Sequence, residues 1–326
     1  MSKIKQSVFD FSDISKRPTG FNDLGALKPA STDELRIFAK RNNLTYAPKA
    51  DYDGNEPVMN EFSSDARPLG AVVLNRFDGS YAQTPFSVAT IRFSPGEVYE
   101  YCTFAAITLP HTVPQVAICA LLDHEASGYF GRPVRFDAGQ RTTTGNELLD
   151  DYFAVYTPGV YKEAVTKTIL TDEFVDTLLQ YAPTFDIAIT GNRLYILAAY
   201  PLCLQEDFKQ IFLAAEAMID ALRTVSWSDV PPADGDRLKI NRALSRFVLR
   251  AVLPTLAVSF GIGLVVAYST LGSVSPISIV TVVAIIIGLL VAFFAMGPDR
   301  SQPKRPANTK KLVDRFGEIN DIKSLA

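Results

Sequence analysis

The chain has 326 residues, 48% of them hydrophobic, and a formal net charge of −3. That small charge hides an asymmetry: residues 1–236 carry 31 acidic and 20 basic side chains, a net −11, whereas residues 237–326 carry 4 acidic and 12 basic, a net +8. An acidic N-terminal part argues against nonspecific nucleic-acid binding, which needs Lys and Arg clustered over a face. Three cysteines, Cys102, Cys119 and Cys203, form an odd, widely spaced set that fits a reducing compartment and no disulfide framework.

Residues 1–30 mix charge, Gly and Pro without periodicity and read as a mobile tail. Lys3 and Lys5 open the chain, but no apolar stretch of about 7–15 residues follows, as a secretory leader would need. A helix is expected from Ser31, because Ser31 and Glu34 form a capping box and Leu35, Phe38 and Ala39 share one face. After a turn-rich loop over 47–66 the hydrophobic period changes to two. Strands are expected over Ala71–Phe77 and Phe86–Phe93, with a hairpin turn at Asp78-Gly79. A strand over Glu97–Leu109 is expected to break at Pro110–Pro114 and resume over Gln115–Leu121, and Asp151–Tyr156 reads as another. A helix capped by Thr171 follows, then a hairpin of Phe185–Thr190 and Arg193–Ala199 turning at Gly191-Asn192. An amphipathic helix spans about Gln205–Val225. Short strands with hairpin turns, and helices mainly at both ends, predict an α+β domain on an antiparallel sheet over residues 31–225.

The C-terminal third has a different character. Ala251–Tyr268 and Ile277–Met296 are uncharged apolar runs of 18 and 20 residues. At ~1.5 Å per residue each extends ~27–30 Å, the thickness of a bilayer's hydrocarbon core. They predict a transmembrane hairpin over 248–297, with helices about 248–270 and 276–297, after a linker and basic juxtamembrane segment over 226–247. A basic tail, 298–326, follows. Arg242, Arg246 and Arg250 precede the first run, Arg300, Lys304 and Arg305 follow the second, and the Leu271–Pro276 loop is uncharged. Positive flanks stay inside, so both termini are expected in the cytoplasm of a two-pass plasma-membrane protein. The same basic side chains are candidate contacts for anionic lipid headgroups. Small residues recur every fourth position: Thr255, Ser259, Gly263 and Ala267 in the first run, and Ala284, Gly288 and Ala292 in the second. Such stripes let helix backbones approach closely, within one chain or between two.

The stretches FAKRNNLTYAP, YCTFAAITLPHTVPQVAICALL, DDYFAVYTPGVYKEA and ILTDEFVDTLLQYAPTFDIAITGNRLYIL occur in that order from Phe38 to Leu197. As a series they resemble uncharacterised actinobacterial membrane proteins with a cytoplasmic N-terminal α+β domain and transmembrane helices. The resemblance implies an architecture and carries no catalytic or ligand-binding residue.

The chemistry-bearing residues are sparse. No Walker loop, Cys-x-x-Cys, His-Glu-x-x-His or Gly-x-Ser-x-Gly pattern occurs. His111 and His124, the two histidines, flank Cys119, but with Cys102 they do not reach structural-zinc spacing. Cys119 sits in the apolar string VAICALL, so it reads as a buried hydrophobe more than as the partner of His124 in a nucleophile pair. Asp150-Asp151 precedes a strand and Asp172-Glu173 opens a helix, both ordinary structural positions. Tyr99, Tyr101 and Phe104 read as sheet packing. The expected function is a membrane-anchored, non-enzymatic interaction or sensor domain without cofactor or metal. Its expected partners are the bilayer and another membrane protein or a second copy, with no nucleic acid. The alternatives are an enzyme with a dispersed site and a small-ligand-binding domain.

Overall fold

The computed structural model describes residues 5–16, 29–51, 72–93, 100–121, 136–198, 201–233, 238 and 314–316. The chain divides into two compact units, Met1–Ile240 with Lys304–Ala326, and Asn241–Pro303. Every described residue belongs to the first unit. Both apolar runs and the stripes and basic flanks read from them lie outside the described residues. Among the described residues no helix is long and apolar enough to cross a membrane.

The elements in order are α1 (Thr32–Arg41), β1 (Thr45–Asp51), β2 (Val72–Tyr81), β3 (Thr84–Phe93), β4 (Glu100–Ala120), β5 (Arg141–Thr142), α2 (Glu147–Tyr152), β6 (Phe153–Tyr156), α3 (Lys162–Thr168), α4 (Asp172–Tyr181), β7 (Asp186–Ala198) and α5 (Gln205–Leu222). The seven strands form one antiparallel sheet in the order β1-β2-β3-β4-β6-β5, with β7 paired to β4. β3 pairs with Glu100–Ile107 of β4 and β6 with Ala117–Ala120, while β7 runs along Thr103–Ile118. β3 and β6 therefore share one edge of β4 at opposite ends, and β7 takes the other. The α+β, antiparallel class read from the sequence is the observed one.

β4 shows why the strand boundaries differ from expectation. Ala105, Ile107 and Leu109 point to the helix-covered face, as do Val116 and Ile118 further on. Odd positions give way to even ones, so the strand slips by one residue between them. The pairing with β7 shifts register between Thr108 and Val113 and again between Val113 and Val116. β7 switches in step: Ile187 and Ile189 face the helices before the slip, Leu194 and Ile196 after it. Gly191, paired with Val113, has φ +57° at the switch. Gly191-Asn192 is therefore a bulge inside one strand rather than a hairpin turn, and Pro110–Pro114 bends β4 without ending it. Asp78-Gly79 also lies inside a strand, and the turn joining β2 to β3 is Ala82-Gln83, with φ 48° and 68°. At Gly79 a Cβ would collide with the Leu44 side chain, so this glycine serves close packing. Residues 147–152 form a helix before β6, because the Asn146 side chain accepts a hydrogen bond from Leu149 N at 3.1 Å.

The helices lie on one face of the sheet over the larger core. The caps are those the sequence offers: Ser31 Oγ accepts from Glu34 N at 3.3 Å and Thr171 Oγ1 from Phe174 N at 3.3 Å. The second face carries a smaller cluster that includes Ile91, Cys102, Phe104, Tyr195 and Leu197. Leu238 belongs to that cluster, and its N–H donates to Gln115 Oε1 at 2.9 Å.

Candidate functional site

α5 is buried nearly all round, although its sequence alternates apolar and polar residues. A helix buried on every side needs partners on every side. The sheet supplies one, α4 another, and residues 5–16 a third. This N-terminal segment falls within the expected mobile tail, yet it is a strap lying in a groove between α1 and α5.

The groove is aromatic. Phe38 comes from α1, Phe77 and Phe86 from β2 and β3, and Phe208 and Phe212 from α5. The strap inserts Phe9 and Phe11 among them. Phe11 stacks on Phe38 at 5.1 Å and meets Phe212 edge-on at 5.8 Å, and Phe9 meets Phe212 edge-on at 5.1 Å. These are the offset and T-shaped contacts that ring quadrupoles favour. Phe11 is 4% exposed and Ile14 2%.

Polar side chains from both walls fix the strap's position. Asn42 at the end of α1 accepts from Asp10 N at 2.7 Å and donates to Asp10 O at 2.9 Å. This pair mimics one rung of a β-ladder. Arg41 pairs with Asp10 at 3.0 Å and Asp13 at 2.9 Å, and donates to Ser12 Oγ at 2.5 Å. From α5, Gln205 Nε2 donates to the carbonyls of Phe11 at 2.5 Å and Ile14 at 3.3 Å, and Gln205 N donates to Ser15 O at 3.0 Å. The strap thus runs antiparallel to α5, from Asp220 back to Gln205.

The far end of the groove holds charge. Glu216 is 1% exposed in the middle of apolar α5. Its carboxylate accepts from Ser7 Oγ and from Val8 N at 3.2 Å, and Lys5 Nζ lies 3.9 Å away. Lys5 Nζ also pairs with Asp220 at 2.5 Å, donates to Tyr81 Oη at 2.9 Å and sits 4.7 Å over the Tyr81 ring. Burial pushes the Glu216 carboxyl above the usual range, against its bonds from Ser7 and Val8 and the Lys5 charge. For Lys5, burial pulls the ammonium down, but the hydrogen bonds to Asp220 and Tyr81 outweigh it and hold the pKa above the ordinary value. Backbone capture, two aromatic anchors and a buried carboxylate met by a lysine together hold the strap, an extended segment, between α1 and α5.

A second attachment comes from beyond the apolar runs. Residues 314–316 are helical, and Phe316, 7% exposed, belongs to the main core. Arg315 pairs with Asp176 of α4 at 2.5 Å and lies 5.4 Å over the Phe316 ring. Burial raises the Asp176 carboxyl, opposed by the Arg315 charge.

The chemistry-bearing residues singled out in the sequence fall elsewhere, without converging. Cys102 is buried, and burial, with the Asp186 carboxylate adding to it, pushes the Cys102 and Cys119 thiols up. A nucleophilic cysteine needs the opposite shift. His111 packs edge-on against Trp227 at 5.7 Å, and His124 lies outside the described residues. Asp150 accepts from Thr144 N and Oγ1, both near 3.1 Å, which ties down the start of α2. Asp172 and Glu173 sit in the first turn of α4. Phe104 packs edge-on against Tyr195 at 6.2 Å, as sheet packing requires, and Tyr99 is outside the described residues. Among the described residues no group of three or more His, Cys, Asp and Glu is placed to hold a metal ion. The small-residue stripes from Thr255 to Ala292 and the basic residues from Arg242 to Arg305 are likewise outside the described residues. Sequence reasoning missed the strap, because Phe9, Phe11 and Ile14 follow neither a helical nor a strand period over residues 5–16.

No known family's sequence profile matches the chain, and no curated protein matches it. Among solved structures it is similar to that of the mycobacterial trehalose monomycolate transport factor A, TtfA, at 14% identity and a TM-score of 0.38, over 61% of this chain and 96% of that one. A superposition that loose bears on no part of the functional reading.

Proposed function

We propose that this chain is a membrane-anchored, non-enzymatic binding module. Ala251–Tyr268 and Ile277–Met296 cross the plasma membrane as a hairpin, and the unit made of Met1–Ile240 and Lys304–Ala326 works at the cytoplasmic surface by engaging a partner. The observation that carries this reading is the return of Phe316 to the core after both apolar runs. A folded unit built from segments on both sides of Asn241–Pro303 lies on one side of a bilayer, so the intervening chain crosses an even number of times. Two apolar runs of membrane-spanning length supply two crossings. The basic residues at both flanks favour the cytoplasm as that side. Arg242, Arg246, Arg250, Arg300, Lys304 and Arg305 meet anionic headgroups there, and the stripes Thr255–Ala267 and Ala284–Ala292 pack the helices together.

Binding is supported by the peptide-shaped groove between α1 and α5, and the raised thiols speak against a cysteine nucleophile. Tethering raises the effective concentration of such a groove toward other membrane-bound chains. Reporter fusions at residue 20 and at the C-terminus test the topology: both are expected to report cytoplasm, and an external signal from either contradicts the reading.

A further inference from the structure

We infer that the groove between α1 and α5 is a docking site for a linear segment, and that residues 5–16 of a second copy of this chain occupy it in exchange for the chain's own strap. This rests on the reading of the domain as a membrane-tethered binding module and names its partner.

The groove floor belongs to the main core, and the groove also has the anatomy of a ligand site. Its floor is apolar, and a few placed polar groups fix orientation. Glu216 is buried in the middle of an apolar helix, and its hydrogen bonds and its nearby cation come from the strap. A helix meant only for the core would not carry a carboxylate there, because burying an ion without partners is severely unfavourable. The strap itself has the form of a ligand. Its described hydrogen bonds to the rest of the domain are largely made by side chains of α1 and α5, and it contributes no rung to the sheet. Its apolar anchors, Phe9, Phe11 and Ile14, alternate with polar residues that reach Arg41, Asn42 and Glu216.

The choice of a second copy follows from chain length and tethering. Twelve residues, 17–28, join the strap to the segment that leads into α1. At ~3.3–3.6 Å per residue they span up to about 40 Å. The points they connect are close: Ser15 O accepts from Gln205 N at 3.0 Å, and Ala30 N donates to Cys203 O at 2.8 Å. A link so much longer than its span reaches a neighbouring groove as well as its own, and exchange of an identical segment needs no new contact chemistry. Confinement of copies to one membrane favours the exchange.

The test is a titration of the full chain, purified in detergent, with a fluorescent peptide KQSVFDFSDISK corresponding to residues 5–16. Wild type presents a groove filled by its own strap, so its apparent affinity is reduced by the open fraction. The double variant Phe9→Ala/Phe11→Ala vacates the groove without altering its walls, and is expected to bind the peptide about tenfold tighter than wild type. Adding Arg41→Ala is expected to lose most of that binding. Should Phe9→Ala/Phe11→Ala melt without cooperativity, Ser7→Ala/Asp10→Ala loosens only the polar anchors and is expected to tighten binding in the same direction. In the same preparation a tagged Phe9→Ala/Phe11→Ala chain is expected to retain untagged wild-type chain. A cooperatively folded variant that fails to bind the peptide, or binds no tighter than wild type, overturns the groove. Peptide binding without retention of wild-type chain overturns the second copy as occupant. Neither result touches the hairpin topology, which the reporter fusions address separately.

Discussion

The N-terminal strap and the C-terminal return dock on neighbouring helices, and they are built differently. The strap spreads its contacts over α1, α5 and the sheet, with aromatic anchors, captured backbone and a buried carboxylate at one end. Among the described residues the return rests on Phe316 and an ion pair from Arg315 to α4. Dense, directional contacts specify a sequence, so the proposed recognition rests on the strap. A single aromatic and a half-exposed ion pair specify little, but they tie residues 314–316 to the same folded unit as α4. The strap informs about partners and the return about topology.

The largest effect is expected at Phe212, which lies under the strap and also belongs to the main core. Phe212 touches Phe9, Phe11, Phe38, Phe77 and Phe86. Phe212→Ala is expected to cost the whole unit about 3–5 kcal/mol, read as a lower urea midpoint. Loss confined to the strap, with an unchanged midpoint, would mean that the groove floor is not part of the core. Phe316→Ala is expected to be smaller, about 1.5–3 kcal/mol, and local. Hydrogen exchange should speed up around residues 304–326 and α4 while the α5 amides stay protected. Faster exchange throughout α5 would remove the distinction between the two attachments.

Glu216 gives the strap's end of the groove a pH dependence. Its folded pKa is raised by burial, so the folded chain keeps this proton to higher pH than the unfolded chain. The stability it contributes is present below the ordinary glutamate value and lost as pH rises through the raised value. Glu216→Gln removes that slope while its side-chain oxygen can still accept from Ser7 and Val8. The variant is expected to match wild type in acid and exceed it at neutral pH, and a lower neutral urea midpoint would contradict this. The smallest effect is at the β2–β3 turn, where Ala82 and Gln83 both have positive φ. Ala82→Asn with Gln83→Gly suits that geometry and is expected to add about 1 kcal/mol to the melt without altering peptide binding.

These contrasts mark what the sequence could disclose. The antiparallel class, the Ser31 and Thr171 caps and the long α5 were legible, because capping chemistry and helical periodicity are local. Asp78-Gly79 and Gly191-Asn192 misled because glycine marks a backbone need without saying whether a turn, a bulge or a close approach supplies it. At Gly191 the need arises from β4, far away in sequence, whose slip at Val113 has to be matched. The strap was hidden for a related reason. Phe9, Phe11 and Ile14 have no regular period, since they fit a groove made by three other elements. Glu216 lies within the amphipathic Gln205–Val225 stretch, and its contacts with Ser7, Val8 and Lys5 come from a segment about 200 residues away that no local pattern encodes.

In the proposed topology the chain leaves the folded unit, crosses the membrane twice and returns to the same unit. Labelling intact cells with a membrane-impermeant maleimide tests it directly, using Ser275→Cys in the connecting loop and Lys310→Cys in the returning segment as separate variants. Burial raises all three native thiols, Cys102, Cys119 and Cys203, but Cys203 is only half-buried, so both variants carry Cys203→Ser and the parent chain with that change is the blank. Ser275→Cys is expected to label in intact cells, and Lys310→Cys only after lysis. Labelling of both in intact cells, or of Lys310→Cys alone, would contradict it.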